Sequence, residues 1–132
     1  MTSADELSRF FEIFRRGGEL DGVRVMEPET LERALTEQSR LEIDWSLGFP
    51  TRFSYGLMLG ANLISVYGRD TDEAFGHLGL INIMGWADPE RALSAALITS
   101  GKALIYPELP RFYGVMQTIT SRTPKVAGKR SR

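Results

Sequence analysis

Apolar residues recur at helical spacing at both ends of the chain and gather into short runs between them, so the pattern predicts helices flanking strands. Leu7, Phe10, Phe11 and Phe14 stand at i, i+3, i+4 and i+7, which places an aromatic stripe on one helix face. Ser3 with Glu6 three residues on makes a capping box that satisfies two orphan amide donors at the helix start. Arg15 and Arg16 suit the negative end of the helix dipole, and Gly17-Gly18 stops the helix. Between Glu19 and Val25, Asp21-Gly22 with short apolar flanks predicts a tight turn. Pro28 opens a second helix running to about Gln38, with Leu31, Ala34 and Leu35 on its buried side.

The pattern breaks from Leu41 to Pro50, which reads as a loop carrying Trp45. Strands follow. Arg52–Leu59 and Leu63–Tyr67 are expected to form a hairpin through Gly60-Ala61-Asn62, and Tyr67 to Glu73 to form a surface loop. Ala74–His77, Leu80–Ala87 and Arg91–Thr99 supply further strands, the last two turned by Asp88-Pro89-Glu90. Alternation within these runs is weak, which predicts a sheet covered on both faces. Past the Gly101–Pro107 connection, Leu109, Phe112, Tyr113, Met116 and Ile119 trace a final amphipathic helix with Pro110 near its first turn. No repeat is visible. The fold expected is α+β, an antiparallel sheet with the N- and C-terminal helices packed on one of its faces.

At 132 residues the chain can bury a single core; residues 1–122 are expected to form one domain. Sixteen lysines and arginines against seventeen aspartates and glutamates leave a net charge of −1, which argues against binding nucleic acid by phosphate neutralisation. The charge is uneven. Arg122, Lys125, Lys129, Arg130 and Arg132 follow Ser121 with no acidic residue among them, so residues 123–132 read as a basic, disordered tail. The absence of cysteine excludes disulfides and thiolate chemistry and fits a reducing compartment. The N-terminus carries no signal pattern and no stretch approaches the ~20 apolar residues of a membrane span. A cytoplasmic protein with no membrane partner is the expectation.

His77 is the only histidine. It lies in Phe75-Gly76-His77-Leu78-Gly79, a strand that gives up side-chain packing on both sides of a polar ring, which is costly unless another molecule must come close. The competing account is a satisfied structural histidine, with Gly76 and Gly79 serving a bulge or a neighbouring helix. Catalytic zinc needs about three ligands, and one histidine without cysteine supplies no recognisable set. No metal or other cofactor is expected. Ser94 and several aspartates make a Ser-His-Asp triad formally possible, but no Gly-x-Ser-x-Gly elbow accompanies them. The glycines form no phosphate-binding loop, and the aromatics are not interleaved with basic residues as on a single-strand platform.

Several segments, in shared order, resemble the last third of the serine β-lactamase-like esterase family. They are Asp5-Glu6-Leu7, Gly17-Gly18-Glu19-Leu20-Asp21-Gly22, the helix after Pro28, Tyr55-Gly56-Leu57, the His77-x-Gly79 strand and Trp86-Ala87-Asp88-Pro89-Glu90. The resemblance runs from about Thr2 to Ser121. It implies acyl transfer to water through a serine acyl-enzyme. Members carry the nucleophile in Ser-x-x-Lys, assisted by Tyr-x-Asn. Neither is present here: no serine has a lysine three residues on, and no tyrosine an asparagine two residues on. In the family both precede the helix that Asp5 opens, so the catalytic half is expected upstream of Met1 and the isolated chain is expected to be inactive.

By the same resemblance, His77 tunes electrostatics and hydrogen bonding near the nucleophile, Gly79 lets substrate lie along the strand edge, and the Leu80 N–H is an oxyanion-hole donor. Leu78 departs from the family, which has a serine or threonine there to bind a substrate carboxylate, and so favours an ester without one. A small ester or amide is the expected partner only when the nucleophile-bearing half is present. The alternative is a non-catalytic binding or assembly module using an exposed sheet edge. Self-association into a homo-oligomer is expected in either case, because the family's sheet and helices pack on a half that is missing here.

Overall fold

A computed structural model describes residues 2–45, 47–79, 83–99 and 109–126. Helix α1 is Ala4–Arg15, opened by the Ser3/Glu6 capping box. A two-stranded ribbon follows, β1 (Glu19–Leu20) and β2 (Val23–Arg24), turned by Asp21 and Gly22, both at positive φ. Helix α2 is Pro28–Leu35, shorter than expected because the chain is extended again by Ser39. Six antiparallel strands then run in sequential order: β3 (Ser39–Asp44), β4 (Phe49–Phe53), β5 (Met58–Leu59), β6 (Phe75–Leu78), β7 (Ile83–Asp88) and β8 (Leu93–Ile98). Helix α3, Leu109–Arg122, closes the described chain. The architecture is α+β. No described helix is long and apolar enough to cross a membrane.

Strand β7 organises both cores. Its Met84 and Trp86 point to one face, where they join Met58, Tyr67 and, from α3, Met116. Gly85 and Ala87 point to the other, where α1 lies and Ala87 packs with Phe11, Leu59 and Phe75. The terminal helices therefore sit on opposite faces, not on one as expected. Residue size explains this: a Cβ on Gly85 would stand 2.3 Å from the Phe11 ring and 3.0 Å from Leu7, so only small residues admit α1 at this distance. Of the predicted aromatic stripe, Phe11 is buried and Phe10 is exposed.

Two further expectations change. The segment expected as a loop carrying Trp45 is the β3–β4 hairpin, with Trp45 exposed at its end. Arg40 to Asp44 alternates charged and apolar residues, a pattern compatible with an edge strand. Conversely, Leu63–Tyr67 forms no strand, and the loop that continues to Glu73 is not superficial, since Tyr67 and Thr71 are buried. Internal hydrogen bonds allow this. The Tyr67 hydroxyl donates to Met58 O at 2.8 Å, Thr120 Oγ1 donates to Tyr67 O at 2.6 Å, and Ser65 Oγ donates to Gly68 O at 3.0 Å.

The turn from β7 to β8 is braced from within. Asp88 Oδ1 accepts from the amides of Glu90 and Arg91, and Asp88 Oδ2 pairs with Arg91 Nη1 at 2.8 Å. That guanidinium nitrogen also donates to Asp70 O at 2.8 Å, tying in the long loop. Lys125 Nζ lies 2.7 Å from both Asp70 and Glu90, and the Val126 amide donates to Glu90 O. Thr123–Val126, placed by the sequence at the start of the tail, are thus held on the body. Residues 127–132 lie outside the described residues.

Glu12 joins α1 to the sheet. Its carboxylate accepts from Arg15, Arg16 and, on β8, Ser94 Oγ at 2.7 Å. Hydrogen bonds from Arg15 lead the causes that lower its pKa from 4.5 to about 2, against partial burial. A depressed folded-state pKa contributes stability that is complete above about pH 4.5 and lost as pH falls toward 2. The gap corresponds to roughly 3 kcal/mol. Glu12→Gln is expected to cost about 2–3 kcal/mol at pH 6 and only about 0.4 kcal/mol at pH 2, where half of the parent carboxyl is protonated. Urea titrations at both pH values check this, and an equal cost at each would mean that Glu12 acts by shape alone.

Candidate active-site strand and adjoining cavity

β6 and β7 pair Phe75 with Ala87, Gly76 with Trp86, His77 with Gly85 and Leu78 with Met84. On the other side, β5 accompanies only Phe75 and Gly76, because Ser54–Leu57 turns back on itself through Ser54 N–H to Leu57 O. Beyond Gly76, β6 is therefore paired on one side only among the described residues. A sheet edge of this kind offers backbone groups to an incoming extended group.

His77 is exposed at that edge. Its Nδ1 lies 2.9 Å from Leu78 O. A carbonyl can only accept, so Nδ1 carries the hydrogen and, in the neutral ring, Nε2 keeps its lone pair. His77 thus lies on a strand with its ring outside the core, as expected. Leu78 points to the opposite face and is half-buried. Gly79 follows, its amide donating to Ile83 O at 2.7 Å. Leu80 lies outside the described residues.

The two glycines around His77 differ in what requires them. A Cβ on Gly76 would stand 2.1 Å from Gly85 O and 2.6 Å from Trp86 Cα. The close approach at Gly76 is thus made by the neighbouring strand, and neither a ligand nor a helix is needed to explain it. At Gly79 the nearest atom would be Ile83 O at 3.3 Å, a tight contact that a shift of a few tenths of an ångström would relieve.

Sequence reasoning did not find the cavity beside Leu78. It measures about 190 Å³ and is walled by Ile64 and Val66 of the long loop, by Leu78, and by Leu109, Phe112 and Tyr113 of α3. Phe112 and Tyr113 carried the signal of an amphipathic helix, while Ile64 and Val66 read as a strand. Nothing local in the sequence shows that the two segments meet. Among the described residues no group of three or more His, Cys, Asp or Glu side chains could hold a metal ion.

The fold is shared with known proteins. The family model described as Beta-lactamase matches residues 1–114, and the chain belongs to that family. It is similar to the Esterase/beta-lactamase LipL of Mycobacterium tuberculosis (strain ATCC 25618 / H37Rv), 28% identical over 101 residues that make up 74% of this chain and 21% of that protein. Among solved structures it resembles a novel penicillin-binding protein homolog from Caulobacter crescentus, with a TM-score of 0.71 and 30% identity over 91% of this chain and 32% of that one. A family VIII carboxylesterase shares the fold, with a TM-score of 0.62 and 21% identity over 85% of this chain and 30% of that one. The chain thus spans about a fifth of the curated relative and about a third of these structures.

The spatial contrast sets separate costs for neighbouring positions. Gly76→Ala is expected to lose about 2–3 kcal/mol, since backbone must move. His77→Ala and Gly79→Ala should each change stability by less than ~1 kcal/mol. Chemical denaturation measures all three, and a loss at His77 equal to that at Gly76 would return His77 to a purely structural role.

Proposed function

We propose that this chain supplies the His77-x-Gly79 wall of an ester-hydrolysing site whose serine nucleophile is carried by another stretch of polypeptide. The observation that supports it best is the one-sided pairing of β6 beyond Gly76 among the described residues, with an exposed His77 whose Nδ1–H donates to Leu78 O, so that Nε2 is the acceptor of the neutral ring. The names of the relatives fit: one is an esterase/beta-lactamase and another a carboxylesterase. In this reaction the serine Oγ bonds to the ester carbonyl carbon, the alcohol leaves with a proton, and water then releases the acid. The oxyanion formed on the way is held by backbone N–H groups, one of which the family resemblance assigns to Leu80. His77 hydrogen-bonds in the neighbourhood of the nucleophile. Leu78 brings no hydroxyl for a substrate carboxylate, so a neutral ester is the substrate class and a β-lactam is disfavoured.

No serine in the 132 residues has a lysine three residues on, so the chain by itself should show no p-nitrophenyl acetate turnover dependent on a single serine. Joined behind a Ser-x-x-Lys segment from a relative, it should turn over that ester, and His77→Ala should cut kcat/KM about tenfold to a hundredfold. Turnover by the chain alone that Ser94→Ala abolishes would overturn the proposal, as would indifference of the joined polypeptide to His77.

A second reading, a module that assembles through a sheet edge, has one observation in its favour. Edge strand β3 carries exposed Ile43 and leads to exposed Trp45. Two copies pairing along β3 would bury both. Sedimentation equilibrium should then give a dimer that Ile43→Lys dissociates, and a monomer mass across a wide concentration range would sink it.

A further inference from the structure

We infer that the cavity between Leu78, Ile64 and the first turn of α3 binds the apolar part of the substrate, an aromatic or short branched aliphatic group. The inference rests on the acyl-transfer proposal above for its chemistry and on the cavity itself for its geometry.

Three observations carry it. The first is size: the cavity measures about 190 Å³, whereas an apolar cavity of roughly 150 Å³ suffices to hold benzene. The second is lining. Every described residue around it is aliphatic, aromatic or proline, with Tyr113 alone bringing a polar tip, and among the described residues no charged side chain takes part. An anion placed there would lose its hydration without a cation to replace it. The third is position. Leu78 is at once a wall of the cavity and a residue of the one-sided stretch of β6. Leu78 directly follows His77 in the chain, so the cavity wall and the exposed ring are successive residues of one strand, and a ligand that fills the cavity lies one residue from His77.

Most ligand sites are largely apolar with a few polar groups for orientation. Here the two are divided between the faces of a single strand: Leu78 faces the cavity, while His77 is on the opposite side. The selectivity that follows favours uncharged esters with a compact apolar group and rejects the free acid. Rejection of the acid also favours release of product after hydrolysis when the acyl group is the part that fills the cavity.

The test uses methyl benzoate and benzoate, which differ in charge but share the ring. Methyl-detected NMR on the 132-residue chain should show methyl benzoate shifting Ile64, Val66, Leu78 and Leu109, with a Kd on the order of 1 mM, and benzoate at least tenfold weaker. Leu78→Thr should weaken methyl benzoate at least fivefold. Should that variant fail to fold, Ile64→Arg, at a loop position already 41% exposed, places a cation at the mouth and should improve benzoate relative to the ester at least tenfold. Equal affinity for ester and acid overturns the inference. So do shifts confined to other methyls, and so do shifts that follow protein concentration instead of ligand, which would mark a second copy in the cavity. Because binding needs no nucleophile, failure here leaves the acyl-transfer proposal standing. Binding on the chain with no hydrolysis in the joined polypeptide supports the cavity and overturns that proposal.

Discussion

The two faces of β7 are the constraint on which the rest of the molecule depends. This strand pairs along its length with β8 and along most of it with β6, and its side chains alternate between bulk and near absence of bulk. Met84 and Trp86 fill one core, while Gly85 and Ala87 let α1 come close on the other. A methyl at Gly85 would meet Phe11, and a methyl at Gly76 would meet the backbone of Trp86. Helix position, strand spacing and register are thereby coupled, because an antiparallel strand shifted by one residue would exchange large for small on both faces at once.

A second set of interactions fastens the irregular parts to that framework. The long loop between β5 and β6 buries Tyr67 and Thr71, which a loop can do only where its backbone groups find internal partners. Thr120 and Ser65 provide them, and Met58 O accepts from the Tyr67 hydroxyl. The Asp88–Arg91 pair is buried as well. A buried pair of this kind is weak evidence of net stabilisation, but its extra bonds, to the turn amides and to Asp70 O, give it a positional role. It sets the turn from β7 to β8 against the loop, and Lys125 adds the end of the described chain to the same assembly.

The proposed site is a product of these same fixtures. β5 is only two residues long, so β6 outlasts it and presents His77 at an edge paired on one side. The anchored loop holds Ile64 and Val66 opposite α3, and the cavity is the space they do not fill. One strand thus carries a polar face and an apolar face within two successive residues, as the alternation of a strand requires. The chemistry assigned to the site needs that division between a group that hydrogen-bonds and a wall that does not.

Local signals in the sequence determined the elements whose causes are themselves local. Ser3 and Glu6 cap α1, Gly17 and Gly18 end it, Asp21-Gly22 turns the ribbon, and Asp88-Pro89 turns β7 into β8. Hydrogen bonding and backbone preference within a few residues account for each. The ordered set of weak motifs, with His77 among them, was also sufficient to point to the β-lactamase family. Tertiary structure decided what depends on distant neighbours. Edge strand β3 alternates charged and apolar residues and so has no long apolar run to announce it. The loop through Tyr67 looks polar, yet is buried by hydroxyl partners up to 53 positions away. Gly76 suggested an approaching ligand, but its neighbour is Trp86. Ile64 and Phe112, 48 residues apart, enclose a cavity that no periodicity could reveal, since only the packing of α3 against the sheet brings them together.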